Sequence, residues 1–330
     1  VLDHAGGLED LRKRVVRTIG DPEIRFREDP IRILRAIKFA ARLDLRIESG
    51  TLRALERVRS DIERAAPPRV LEEINRFCRG GAAVRSFELL RETNVFDVVL
   101  PEYHEAYADD GPAWVLLRAL LARMDRAVAD GQEISTGEIL ASLVLPQRID
   151  RLGWDLDNGH ATRPRGVDAR RVTDDLLRPM ALRLRVARRD QERARQIVMS
   201  LFRMVPADRV RANTRRAILG RNCFPDALGI LHVLAERFEG QFAEAFAYWS
   251  TQTMSPEDRE AASNEAERHD RAGDDDDGTP RRRRRRRRRG RRSGRSRDRG
   301  TADEGDDRPR AETAKGAPAP AKRKPAPSPK

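Results

Sequence analysis

Apolar residues recur at helical spacing along the first 250 residues of this chain, and then the pattern stops. Across residues 30–42, Ile33, Leu34, Ile37, Ala40 and Ala41 share one stripe at 100° per residue, and Arg32, Arg35, Lys38 and Arg42 share the opposite one. One face packs and the other is a row of cations. Asp29 suits the N-cap of this helix and Pro30 its first position. Upstream, a strand end and a Gly6-Gly7 turn lead into a short polar helix over 8–17. Downstream, Ser49 can cap a helix with Leu52, Leu55 and Ile62 inward. Pro67-Pro68 opens a further helix with Val70, Leu71, Ile74, Phe77 and Cys78 inward, and Gly80-Gly81 closes it. Another covers 82–91, followed by an apolar end at 95–100 that Pro101 breaks. The same spacing predicts helices over 114–129, 136–144, 167–177, 189–202, 209–219, 225–237 and 242–249. Strand-like alternation is nearly absent, there is no fixed-period repeat, and 145–165, with its Gly, Pro, Asp and Asn, reads as a loop. The expected fold class is all-α.

The charge changes the picture at the C-terminal end. An acid run at 274–277 precedes nine unbroken arginines: Arg281, Arg282, Arg283, Arg284, Arg285, Arg286, Arg287, Arg288 and Arg289. Residues 281–299 hold fourteen arginines and one acidic residue. Like charges repel and nothing apolar is available to bury, so a disordered basic tail is expected from 253 to 330. Guanidinium groups fork onto phosphate oxygens, which makes the nine arginines candidate nucleic-acid contacts, RNA first. The chain carries a formal net charge of +13, of which residues 254–330, with 24 basic and 16 acidic residues, supply +8. The remaining excess is mild and matters only where a face gathers it. Lys38 and Arg42 are the RNA-binding candidates on such a face.

Other chemistries find little support. Cys78 and Cys223 form no CxxC and no Cys/His cluster, so no zinc site is expected, and two isolated thiols fit a reducing cytoplasm. No apolar run approaches the roughly 18 residues a bilayer span needs, so no membrane partner is expected. The five histidines, at 4, 104, 160, 232 and 269, are not placed with Ser or Cys as nucleophile pairs. His232 reads as a core-edge residue, and Phe238, Phe242 and Phe246 as packing at i, i+4 spacing.

Residues 1–101 contain a collinear set of pieces: Asp3, Gly6-Gly7, Asp10-Leu11, Arg17-Thr18-Ile19-Gly20, Phe26, Glu28-Asp29-Pro30, Arg32, Leu34-Arg35-Ala36 and Phe39-Ala40. This block resembles the bacterial class II nucleotidyltransferases, the family of poly(A) polymerases and CCA-adding enzymes. The stretch at 66–77, APPRVLEEINRF, and the arginine-rich extension are similar to the poly(A) polymerase branch. The resemblance implies the end of a catalytic head at 1–20, a helical neck at 21–100, a helical body at 101–252 and the tail at 253–330. It also implies AMP addition from ATP, as substrate, to RNA 3′ ends without a template. In the neck, Asp29 and Arg32 would present hydrogen-bond partners to the base edge, each fixing the other's rotamer one turn apart. Glu28 and Arg35 would orient them or meet phosphate. Proteins of RNA decay are candidate partners. The alternatives are CCA addition to tRNA and, from a different class, a non-catalytic RNA-binding adaptor.

The family's chemistry also implies paired aspartates after a Gly-Ser turn, holding two Mg²⁺. This chain contains no Gly-Ser dipeptide, and its Asp155-Leu156-Asp157 lies in the Gly/Asn-rich stretch and reads as a surface loop. The expectation is therefore that the metal site and catalytic residues lie upstream of Val1, that no metal binds within these residues, and that they alone bind RNA without adding nucleotides.

Overall fold

The computed structural model describes residues 3–147, 149, 168–205 and 210–252, with the backbone of 154–155 and 160–161. The arginine run, the acid run and Asp157 lie outside them. The described residues fall within one compact unit.

At the N-terminal end, Asp3 accepts the backbone N–H groups of Ala5, Gly7 and Leu8 and so caps helix α1 (Gly7–Arg12). Gly6 sits at φ 74°, in the left-handed region that favours glycine, and a Cβ there would meet the end of the Arg17 side chain. Asp10 in turn takes the Nε of Arg17 at 2.7 Å. The helix expected over 8–17 thus stops at Arg12. Its last residues become strand β1 (Val15–Val16), which pairs in parallel with β2 (Arg46–Ile47).

Two helices lie between these strands, where the sequence reading had one. Asp21 accepts from Ile24 N–H and Pro22 takes the first position of α2 (Pro22–Glu28), which buries Phe26. Asp29 ends α2 with an extended backbone, φ −145° and ψ 96°, because the following Pro30 disfavours the helical region. The chain then re-enters a helix as α3 (Ile31–Arg42). The expected N-cap position for Asp29 is therefore corrected: Asp29 is the break between two helices, and Pro30 is the N-cap of α3. The apolar stripe of α3 is as read, with Ile33, Leu34 and Ile37 fully buried, each worth roughly 1.5–3 kcal/mol. Its end is a left-handed closure at Asp44, with Leu45 N–H bonded to the Ala40 carbonyl.

Helix α4 (Ser49–Val58) is capped by the carboxylate of Glu48, one residue before the serine expected to do so. A 3₁₀ turn carries Ile62, and then α5 (Pro67–Arg79), α6 (Ala83–Glu92) and α7 (Phe96–Val99) follow. Helices α5 and α6 both pack on α3. An edge-to-face run, Phe77–Phe87–Phe96–Tyr107, threads from α5 to the short α8 (His104–Tyr107). From there α9 (Pro112–Ala129), α10 (Thr136–Val144), α11 (Ala169–Arg183), α12 (Arg188–Met204), α13 (Ala212–Leu219), α14 (Phe224–Arg237) and α15 (Gln241–Ser250) continue the same buried apolar cluster. A two-residue antiparallel ladder, β3 (Trp154–Asp155) with β4 (His160–Ala161), interrupts the stretch read as loop. No described helix is long and apolar enough to cross a membrane.

Candidate functional site

The residues singled out from the sequence meet where α2 breaks into α3. Glu28 ends α2, Asp29 is the break, and Arg32 and Arg35 stand on the first two turns of α3. Arg32 donates to the Glu28 carboxylate at 2.8 Å and to the Arg25 carbonyl at 2.9 Å. Arg25 also holds Glu28, at 3.0 Å. Asp29 does not pair with Arg32. It accepts instead from Arg69 of α5, at 2.9 Å. The reason is geometric: i, i+3 pairing requires both residues on one continuous helix, and the extended backbone at Asp29 turns its side chain toward α5.

Charge sets the protonation of both acids. The Arg32 hydrogen bond, against a burial cost, holds Glu28 below the ordinary carboxylate range. Arg69 does the same for Asp29, helped by the Ile31 N–H and by Arg35. Asp29 is therefore an acceptor only. Its Oδ1 is buried without a hydrogen-bond partner while Oδ2 is held by Arg69.

A second cluster lies beside the joint, between α3 and α5. Glu73 is 2% exposed and meets Lys38 at 2.6 Å, Arg76 at 3.0 Å and Arg35 at 3.5 Å. The row of cations is thus not uniform. Lys38, 13% exposed, is committed to Glu73; Arg35 is half turned toward it; Arg42 is exposed and forms no ion pair among the described residues. Arg25, Arg69, Glu73 and Arg76 were not among the residues read from the sequence. The signal was there, since Arg69, Glu73 and Arg76 recur at i, i+4, i+7 on a helix whose other face is apolar.

Among the described residues, no three His, Cys, Asp or Glu side chains converge to hold a metal ion. Glu28, Asp29 and Glu73 are each neutralised by guanidinium or ammonium groups, so Mg²⁺ does not fit this joint. Two other surfaces complete the picture. An open cleft of about 990 Å³ runs between α6 and α9, where Arg91 lies 4.1 Å over the Trp114 ring and bonds Asp110. Of its other charged groups, His104 pairs with Asp97, Arg118 with Glu88 and Glu92 with Arg85, and Arg237 lines the cleft as well. Beside α1 and the end of α3, Leu8, Leu11, Phe39 and Leu43 are exposed side by side around a shallow apolar hollow.

Residues 44–107 match the family model described as "Probable RNA and SrmB- binding site of polymerase A". The chain is 30% identical to poly(A) polymerase I of Salmonella typhi over 145 residues, 43% of this chain and 31% of that protein. It is 39% identical to a CCA-adding enzyme of Leuconostoc mesenteroides over 104 residues, 32% of this chain and 26% of that protein. These matches span about a third or less of the relatives' own length. Among solved structures, a tRNA-processing enzyme complex aligns over 82% of this chain and 67% of its own, with a TM-score of 0.52 at 19% identity, a likeness of fold.

Proposed function

The chain belongs to the class II nucleotidyltransferase family, and on that premise we propose that it serves template-independent addition of AMP from ATP to RNA 3′ ends, supplying base selection and RNA contacts. The observation that carries the reading is the α2–α3 joint, which gathers the Asp29 carboxylate, held ionised by Arg69, and the Arg32 guanidinium, held by Glu28. Adenine offers an amino donor beside a ring-nitrogen acceptor. Asp29 would accept the first and Arg32 donate to the second. Guanine and uracil present the reverse pattern and would leave both protein groups facing like partners, which is costly in a desolvated site. Cytosine shares adenine's pattern, so this joint alone suits both branches of the family.

The poly(A) reading is favoured over CCA addition by extent. Matches to poly(A) polymerase I run over 142–145 residues, while those to CCA-adding enzymes cover 97–109. The arginines at 281–289 point the same way. RNA would be held by Arg42 and by these arginines, each single-strand phosphate contact adding roughly 0.7 to the log–log salt slope.

Two measurements test the proposal in the native full-length enzyme. Arg32→Ala should lower the preference for ATP over GTP and UTP by about tenfold or more in kcat/KM. An unchanged preference removes the joint from base selection. Extension of a generic RNA by many adenylates supports the poly(A) reading, and addition confined to tRNA ends replaces it with CCA addition.

A further inference from the structure

We propose that Arg69 is the positioning residue that makes Asp29 a base reader, with Glu73 as its anchor. The inference deepens the base-selection reading and rests on it. Asp29 lies in an extended break between two helices, where the Ile31 N–H bears on its carboxylate from the backbone. Its carboxylate is fixed from outside, by a guanidinium forty residues further along the chain. Arg69 can do this because α5 is locked in place. Val70, Ile74 and Phe77 bury its apolar face in the core shared with α3. One turn beyond Arg69, Glu73 ties α5 to Lys38 and Arg35 of α3 through a buried carboxylate.

The contact is one-sided. Arg69 takes Oδ2 and leaves Oδ1, buried and without a hydrogen-bond partner, as the remaining acceptor. A charged donor on one oxygen keeps the group ionised and fixes its plane, so the other oxygen offers a lone pair in a set direction. The chemistry that completes it is a neutral N–H donor, such as the exocyclic amino group of adenine. A carbonyl oxygen, as on guanine or uracil, is repelled. In this assignment Arg69 acts through Asp29.

The test compares kcat/KM for ATP and GTP in the native full-length enzyme carrying Asp29→Asn, Arg69→Ala, Arg69→Lys and the Asp29→Asn/Arg69→Ala pair. Arg69→Ala is expected to lower the ATP:GTP ratio about tenfold, the worth of one charge-assisted hydrogen bond. Arg69→Lys should restore part of it, and the double variant should be no worse than the poorer single one. A structural role alone would slow both nucleotides together and leave the ratio intact. If Arg69→Ala does not fold, Arg69→Lys carries the test, and a wild-type ratio overturns the assignment. A ratio that falls in Asp29→Asn and stays unchanged in either Arg69 variant rejects Arg69 and keeps the base-selecting joint. A ratio unmoved in every variant rejects the joint itself.

Discussion

Lys38 and Glu73 face each other at 2.6 Å across the α3–α5 seam, both withdrawn from water. Glu73 also receives Arg76 and Arg35, whereas no second carboxylate pairs with Lys38 among the described residues. Removing the acid therefore strands a buried ammonium, while removing the lysine leaves the acid still neutralised. Glu73→Ala is expected to cost about 3–5 kcal/mol and Lys38→Ala clearly less, as read by denaturant unfolding. Equal losses would mean that the two groups do not differ in their remaining partners.

Glu48 offers a pH test. It accepts the N–H groups of Gly50 and Thr51 at the start of α4, and these bonds bring its pKa from 4.5 down to about 2. A folded pKa below the unfolded one means that the stabilisation is complete above about pH 4.5 and is lost as pH falls toward 2. Glu48→Gln should therefore destabilise at pH 7, by about 1 kcal/mol, and become nearly neutral near pH 2, if melting is followed at both.

Asp125 of α9 caps α6 from another helix. Its carboxylate accepts from Ala83 N–H at 2.6 Å and Val84 N–H at 3.1 Å, where α6 has no side-chain cap of its own. Asp125→Ala should cost about 1–2 kcal/mol in global unfolding. It should also speed hydrogen exchange in the first turn of α6 more than in its last.

Gly229, in the middle of α14, is expected to resist replacement. A Cβ there would overlap the Arg123 guanidinium, which is itself held by the buried Glu138 carboxylate. Gly229→Ala gains helix propensity of about 1 kcal/mol, yet it should destabilise by roughly 1–3 kcal/mol, because the arginine cannot move without leaving a buried acid unpaired. A higher melting temperature for this variant would show that the arginine has room to shift.

Much of this was legible in advance, and the misses have causes. The stripe Ile33, Leu34, Ile37, Ala40, Ala41 needs only a 3.6-residue period, and the helix at 136–144 appears with the expected bounds. Helix ends were harder where the left-handed residue is not glycine, as at Asp44, Asn94 and Arg185. The break at Asp29 was hidden because Asp-Pro reads equally well as a helix start or as the gap between two helices. Arg69, the partner of Asp29, and Lys38, the partner of Glu73 on α3, lie 40 and 35 residues away in sequence, and no local spacing rule reaches that far. Sequence could nominate Glu28, Asp29, Arg32 and Arg35. It could not say which cation each acid would take.

The tiny parallel ladder of Val15–Val16 with Arg46–Ile47 bears on how that joint can work. It fastens the residues before α2 to those after α3, and Arg14 adds a clasp by donating to the Asp44 carbonyl and carboxylate. The segment between is a closed hoop, with Asp29 partway round it. The two rims are tied to each other as well as to α3, so a shift at one is passed to the other.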